Sequence, residues 1–214
     1  MKLLSTKKIK ALLLSSALSL SVFLGGCSSL ETVLNSNITQ QSEALNQSKS
    51  EIPEGSDEAS VQRVVDGDTM KLKLKNSNEV ITLRLLLVDT PESVKPGVDP
   101  QPYAIEASNF AKEVLQVNET VYIEYDSGSK TDRYNRYLGY LWYYSKENNS
   151  WQMFNKIIIE KGFARVGYIY SQKKHLDTLN EAQDKAKNSK LNIWSVDGYV
   201  TDKGFDVDAY NKNS

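Results

Sequence analysis

Short apolar runs that alternate with charged residues constrain the fold of this chain more than any other feature. Residues 70–74 show the pattern clearly, because Met70, Leu72 and Leu74 alternate with lysines, as in a strand with one buried face. Turn-forming residues such as Asn, Asp, Gly and Pro separate the runs. The strands predicted from such runs span residues 61–65, 70–74, 80–88, 121–125 and 138–144.

Apolar residues at helical spacing predict three helices between and after these strands. The helices span residues 103–116, 153–161 and 176–190, and Gly162 is expected to cap the second at its C-terminus. Three strands, a helix, two strands and further helices follow the order of an OB-type barrel. We therefore expect an α+β fold, with a five-stranded OB-type β-barrel and three α-helices.

The N-terminus predicts export. Four lysines precede an apolar stretch at 11–24, which is too short and too rich in serine for a membrane-spanning helix. The stretch ends in Leu-Gly-Gly-Cys, which resembles a bacterial lipobox, so we expect residues 1–26 to be a lipoprotein signal peptide and Cys27 to be lipidated. The alternative is an ordinary signal peptide with an incidental cysteine. Lipidation would anchor the chain to the outer face of a bacterial cell membrane, with part of it released.

The remaining composition indicates one folded domain between two polar segments. Residues 27–60 have too few apolar side chains to offset their ordering entropy, so we expect a flexible linker. Residues 61–195 have the size of a single domain, and the tail at 196–214 is expected to be loosely held. Loss of residues 1–26 removes four lysines and no acids, so the formal charge falls from −1 to −5. Any attraction for phosphate must therefore come from a local group of cations and not from the net charge of the chain.

Two segments, VVDGDT at 64–69 and LRLLLVDTPE at 83–92, place carboxylates at the ends of predicted strands. Asp68 and Asp89 supply the oxygen ligands that Ca²⁺ and Mg²⁺ prefer. With one histidine and one cysteine in the chain, zinc, copper and iron sites are not expected. The alternative for the Asp-Gly-Asp segment is a plain turn.

Arg84 lies within an otherwise aliphatic predicted strand, so its charge needs a partner or an anionic ligand. Either it forms a structural ion pair with a nearby acid, or it binds a phosphate. Strict strand alternation places Arg84 and Asp89 on opposite faces. They share a site only if the strand twists or ends before Asp89.

A loop at 126–136 combines turn residues with cations and one aromatic side chain. Tyr134 is expected to pack against a nucleotide, and Lys130 or Arg133 to meet a phosphate. Arg136 stands where the next strand starts. The alternative is a solvated hairpin loop.

Five segments in order resemble the staphylococcal nuclease (thermonuclease) family: VVDGDT, TLRLLLVDTPE, TDRYNR, the Tyr168-Ile169-Tyr170 stretch and KLNIWS. The resemblance covers residues 61–195. It implies an OB-type barrel with three helices that hydrolyses DNA and RNA with Ca²⁺ and leaves 3′-phosphate ends. We also expect a monomer.

The resemblance assigns roles by matching position. It implies Asp68, Asp89 and the Thr90 carbonyl as calcium ligands; Arg84, Glu92 and Arg136 as catalytic residues; and Arg133, Tyr134 and Tyr168 as substrate-binding residues.

The chain departs from the family in two places. The loop at 93–102 has a single lysine, where the family usually has several, and Asn135 replaces a glycine, although asparagine tolerates the left-handed backbone. Two other functions stay open. One is a catalytically weak nucleic-acid-binding barrel tethered to the membrane, and the other is a surface lipoprotein that binds a protein or glycan.

Overall fold

The computed structural model describes residues 52–93, 97 and 99–214. The expected signal peptide, Cys27, residues 27–51 of the linker, and residues 94–96 and 98 of the loop before the first helix lie outside the described residues. Within the described part of the chain, no helix has the length and apolarity needed to cross a membrane.

Ten strands, several of them only two residues long, are present in the described residues. They are β1 (Asp57–Val64), β2 (Thr69–Leu74), β3 (Val80–Leu85), β4 (Val88–Asp89), β5 (Thr120–Glu124), β6 (Tyr137–Ser145), β7 (Ser150–Met153), β8 (Arg165–Val166), β9 (Val200–Thr201) and β10 (Gly204–Phe205).

Five of these strands close a barrel. They follow the order β3-β2-β1-β5-β6 with antiparallel neighbours, and β3 then pairs with β6 in parallel, with Leu83 opposite Tyr137. Gly139 on β6 permits the close approach of β5, because a Cβ there would lie 2.8 Å from Ile123 Cγ2. The predicted α+β fold with a five-stranded OB-type barrel is confirmed.

The barrel interior takes the apolar side chains of the alternating runs. Met70 and Leu72 of β2 are both 0 % exposed, whereas Lys71 between them points to solvent. Asn155 is also fully buried. It accepts a hydrogen bond from the Leu141 backbone at 2.9 Å and thereby satisfies its polar group inside the core.

Besides a short 3₁₀ helix (Asn192–Trp194), four α-helices accompany the barrel in the described residues, one more than the three predicted. They are α1 (Ala104–Val114), α2 (Phe154–Glu160), α3 (Leu176–Asn188) and α4 (Val207–Asn213). Gly162 has a left-handed φ of +74° just after α2, as its predicted capping role requires. A short hairpin strand, β7, precedes α2 and was not predicted from the sequence.

The end of the first polar segment, from residue 57, and the second polar segment are more ordered than their composition suggests. β1 starts at Asp57, because residues 57–60 pair with β5 and bury Ala59. The C-terminal residues form the β9–β10 hairpin and α4 instead of a loose tail. Tyr199, which is 0 % exposed, fixes them to the domain by donating its hydroxyl to the Pro102 carbonyl.

Candidate active-site cleft

One cleft of about 950 Å³ brings the predicted site residues together. It lies where the ends of β2, β3 and β4 meet the loop at 126–136 and the segment after β8. Nine of the site residues predicted within the folded domain line it: Asp68, Arg84, Asp89, Thr90, Glu92, Arg133, Tyr134, Arg136 and Tyr168. Lys130, the alternative to Arg133 as a phosphate ligand, does not line the cleft, and its Nζ lies 4.1 Å from the centre of the Tyr125 ring.

A turn after β3 explains how Arg84 and Asp89 share this cleft. β3 ends at Leu85, the chain turns, and β4 starts at Val88. Leu87 is 1 % exposed and has a φ of +60°, a conformation that costs a non-glycine residue roughly 1–2 kcal/mol. Arg84 Nη1 donates to the Val88 carbonyl at 2.8 Å and so stabilises the turn. The predicted continuous strand over 80–88 is therefore wrong, and strand alternation does not carry through to Asp89.

Asp68 joins the two acidic segments. Its Oδ2 atom lies 3.0 Å from Arg84 Nη1 and accepts hydrogen bonds from the Thr90 hydroxyl at 3.1 Å and the Thr90 amide at 3.3 Å. Its Oδ1 atom accepts from the Thr69 hydroxyl at 2.9 Å. The ion pair that was one alternative for Arg84 is thus present, and the same guanidinium borders the cleft.

Asp89 has a partner that the sequence analysis missed. β4 pairs with β8 so that Asp89 stands opposite Arg165, whose Nε donates to Asp89 Oδ2 at 2.7 Å. The two side chains are only 13 % and 11 % exposed. Gly167 makes this packing possible, because a Cβ there would lie 2.6 Å from the Asp89 Cβ. No local signal identifies Arg165, since the pair joins strands far apart in sequence.

Three aspartates that line the cleft, Asp66, Asp68 and Asp89, have only two arginine partners among the described residues. Arg84 pairs with Asp68, and Arg165 pairs with Asp89. Burial raises the pKa of Asp66, and the neighbouring Asp68 raises it further. Burial also raises the pKa of Asp89; Arg165 opposes this shift and Asp68 adds to it. Uncompensated negative charge on oxygen ligands fits a hard divalent cation.

This fit to a cation rests on the carboxylates of Asp68 and Asp89 and the backbone carbonyl of Thr90 rather than on a dense cluster of ligating side chains. Within residues 52–93, 97 and 99–214, no group of three or more His, Cys, Asp or Glu side chains is arranged to hold a metal ion. An ion at such a site would complete its coordination with several waters, as hard cations with few protein ligands do.

Asp132 orients Arg136, and the sequence analysis did not single it out. Its carboxylate accepts hydrogen bonds from the Arg136 amide at 3.0 Å and Nε at 2.8 Å, and from the Tyr134 amide at 2.9 Å. Asn135, which lies between Tyr134 and Arg136, has a φ of +59°, so the left-handed backbone expected at this asparagine is confirmed. Tyr134 is 64 % exposed, with the Arg133 guanidinium 4.7 Å from its ring.

Tyr168 and Glu92 complete the cleft on its other sides. The Tyr168 ring lies 5.0 Å from Arg84 Cζ and is 55 % exposed, so one of its faces is accessible. Glu92 is exposed at the rim, and its backbone amide donates to Gln101 Oε1 at 2.8 Å. Lys203, Gly204 and Phe205 of the C-terminal hairpin also line the cleft, although the sequence analysis placed them in a loose tail.

Comparison with known proteins identifies relatives. A family model described as "Staphylococcal nuclease homologue" matches residues 82–196. The SPbeta prophage-derived endonuclease YokF of Bacillus subtilis (strain 168) is 39 % identical over 149 residues, or 69 % of this chain. Endonuclease YncB of the same organism is 38 % identical over 144 residues, or 67 % of this chain. Thermonuclease from Staphylococcus hyicus is 42 % identical over 133 residues, or 62 % of this chain.

The matches cover the relatives to different extents. The chain spans 47 % of the length of YokF and 64 % of that of YncB. It spans 73 % of the Staphylococcus hyicus thermonuclease.

Proposed function

The chain belongs to the staphylococcal nuclease homologue family, and we propose that it is an endonuclease that hydrolyses phosphodiester bonds of DNA and RNA with Ca²⁺. One observation carries the proposal. Arg84 and Arg136, two potential phosphate ligands, line the same cleft as the acidic pair Asp68 and Asp89. The relatives named endonuclease and thermonuclease support it.

Asp68, Asp89 and the Thr90 carbonyl are the residues that would hold the calcium ion. When bound, the ion supplies positive charge that offsets the charge of a non-bridging phosphate oxygen. The acids that hold it are fixed before binding, because Thr90 and Thr69 hydrogen-bond to Asp68 and Arg165 pairs with Asp89.

The two arginines act on the reacting phosphate. Each donates N–H groups to the phosphate oxygens and stabilises the negative charge that develops there in the transition state. Both are oriented in advance. The turn after β3 holds Arg84 through the Val88 carbonyl, and the Asp132 carboxylate holds Arg136. Preorganised donors stabilise a transition state without the reorganisation that water requires.

Glu92 at the cleft rim orients the attacking water and accepts its proton. The water oxygen forms a bond to phosphorus, the bond between phosphorus and the 5′-oxygen breaks, and the 5′-oxygen takes a proton from solvent and leaves as a hydroxyl. The other product carries a 3′-phosphate. Arg133, Tyr134 and Tyr168 bind the nucleotide next to the scissile bond, with the exposed rings available for stacking.

Cleavage of single-stranded DNA by the purified protein, with Ca²⁺ or with a chelator, tests the proposal. Wild type should cleave only with Ca²⁺, and Arg136→Ala should lower kcat about a hundredfold or more. Arg63→Ala, which removes an exposed arginine on β1 outside the cleft, is the matched control and should keep wild-type rates. Wild-type rates from a folded Arg136→Ala protein would contradict the mechanism. Binding without cleavage by wild type would favour the nucleic-acid-binding alternative.

We also propose that a lipid on Cys27 anchors the exported chain to the outer face of a bacterial cell membrane. The proposal rests on the Leu-Gly-Gly-Cys sequence after an apolar segment. Intact mass of the protein from membrane and culture-fluid fractions tests it. The membrane form should carry the mass of a diacylglyceryl group on a chain that starts at Cys27, and Cys27→Ser should abolish this form.

A further inference from the structure

The C-terminal residues form one wall of the cleft. The family model matches residues up to 196, and the chain beyond that point folds as the β9–β10 hairpin followed by α4. An aromatic cluster fixes this segment to the domain. The ring of Tyr199 lies 5.2 Å from that of Tyr210, 5.4 Å from that of Phe205 and 6.2 Å from that of Tyr103, which immediately precedes α1.

The hairpin reaches the acidic side of the cleft through Arg165. The Asp202 carbonyl accepts a hydrogen bond from Arg165 Nη1 at 3.3 Å, and the Phe205 ring lies 6.0 Å from Arg165 Cζ. Arg165 is the residue that pairs with Asp89. Lys203 stands at the two-residue turn of the hairpin, where its side chain is exposed and borders the cleft.

The cations that line the cleft fall into two groups. Arg84 is paired with Asp68 and Arg136 with Asp132. Arg133 and Lys203 form no ion pair among the described residues. These two lie on different elements, one in the loop at 126–136 and the other on the C-terminal hairpin. A polyanion that spans the cleft would meet an unpaired cation on each element.

We propose that Lys203 binds a backbone phosphate of a single-stranded nucleic acid, at a position beyond the scissile phosphate. This inference rests on the proposed function for the identity of the ligand. Without residues 1–26 the chain carries a formal charge of −5, and the loop at 93–102 has one lysine, so affinity for a polyanion depends on few cations. Lys203 adds one to a cleft that is also lined by the acids Asp66, Asp68 and Asp89, which repel a polyanion.

The salt dependence of binding tests the proposal, because each phosphate neutralised on a single strand contributes a slope of about 0.7 to the plot of log Kd against log salt concentration. A fluorescein-labelled oligothymidine is titrated with the full chain in chelator, and fluorescence anisotropy gives Kd at several NaCl concentrations. Lys203→Ala should lower the slope by about 0.7 and raise Kd about threefold at low salt. Lys203→Arg should restore both.

Lys212→Ala is the matched control, since Lys212 is an exposed lysine of the same C-terminal segment, on α4, outside the cleft lining. It should leave Kd and slope as in wild type. An unchanged slope in Lys203→Ala, or an equal change in Lys212→Ala, would overturn the proposal. Since no step of this assay requires cleavage, a wild-type protein that binds but fails to cleave with Ca²⁺ contradicts the proposed function alone. Equal melting temperatures of the variants establish that the fold is intact.

Discussion

Replacing Arg165 with methionine tests how the fold holds the carboxylate of Asp89. The Nε–Oδ2 distance is 2.7 Å, and both side chains are nearly buried, so the substitution leaves a carboxylate without its counter-charge next to Asp68. Removing one partner of a buried pair costs about 3–5 kcal/mol. We expect Arg165→Met to lower the free energy of unfolding by about 3 kcal/mol at pH 7, because one edge of the pair borders the solvated cleft.

The loss should depend on pH with a definite sign. Burial already raises the pKa of Asp89, and it rises further once the opposing Arg165 is gone. A carboxylate with a folded pKa above its unfolded value destabilises the protein when it is ionised, and this penalty is lost as the pH falls through the folded pKa toward the unfolded value of about 3.9. Urea unfolding followed by tryptophan fluorescence should therefore show a smaller gap between wild type and Arg165→Met at pH 4 than at pH 7.

A second substitution isolates the cause. Asp89→Asn in the Arg165→Met background removes the unpaired charge with little change in shape, so the double variant should be more stable than Arg165→Met by about 1–2 kcal/mol at pH 7. Arg63→Met on the exposed face of β1 is the control and should change stability by no more than about 0.5 kcal/mol. A double variant no more stable than Arg165→Met would refute the argument that uncompensated charge on Asp89 causes the loss.

Two further predictions follow from buried groups. Burial alone would raise the pKa of Glu124, but hydrogen bonds from His175, Lys174 and Trp142 lower this pKa to about 2. The ionised form of Glu124 therefore stabilises the fold at pH values above the unfolded pKa of about 4.5. Glu124→Gln should lower the free energy of unfolding by about 3 kcal/mol at pH 6, and this difference from wild type should shrink as the pH falls toward 2. Urea unfolding over this pH range measures the difference, and an equal difference at pH 6 and pH 2 would contradict the prediction. Gly167→Ala should displace Asp89, because the added Cβ lies 2.6 Å from that of Asp89. Single-stranded DNA cleavage should then slow about tenfold or more, and a wild-type kcat would show that β8 moves aside without effect.

Local periodicity accounts for the parts of the fold that were predicted. Alternation in residues such as Met70 and Leu72 requires a strand with one buried face, and the order of strands and helices then leaves few topologies besides the OB-type barrel. The break after β3 was not predicted, because nothing in LRLLLVD marks a left-handed backbone at Leu87. The long-range pairing of β3 with β6 that closes the barrel imposes it, and the local Arg84–Val88 hydrogen bond stabilises the turn that results.

Long-range partners explain most of what the sequence analysis missed at the site. The segments with the acids and arginines were recognised because they lie in or next to strand-like runs, and the roles of Arg84, Glu92 and Arg136 were implied by the resemblance to the staphylococcal nuclease family. Arg165 and Lys203 were not recognised from the sequence. Arg165 reaches the site because β8 pairs with β4, and Lys203 reaches it because the C-terminal hairpin docks on the domain. The tail at 196–214 looked polar by composition, yet a few aromatic side chains, Tyr199 above all, suffice to fix it to the domain.

The proposed mechanism requires two guanidinium groups and an acidic cation site to converge on one phosphate. A crystal structure of the protein with Ca²⁺ and thymidine 3′,5′-bisphosphate would show whether they do. We predict a phosphate within hydrogen-bond distance of both Arg84 and Arg136, and a calcium ion bound by Asp68, Asp89 and the Thr90 carbonyl. A bisphosphate bound away from these arginines, or a calcium ion held elsewhere, would contradict it.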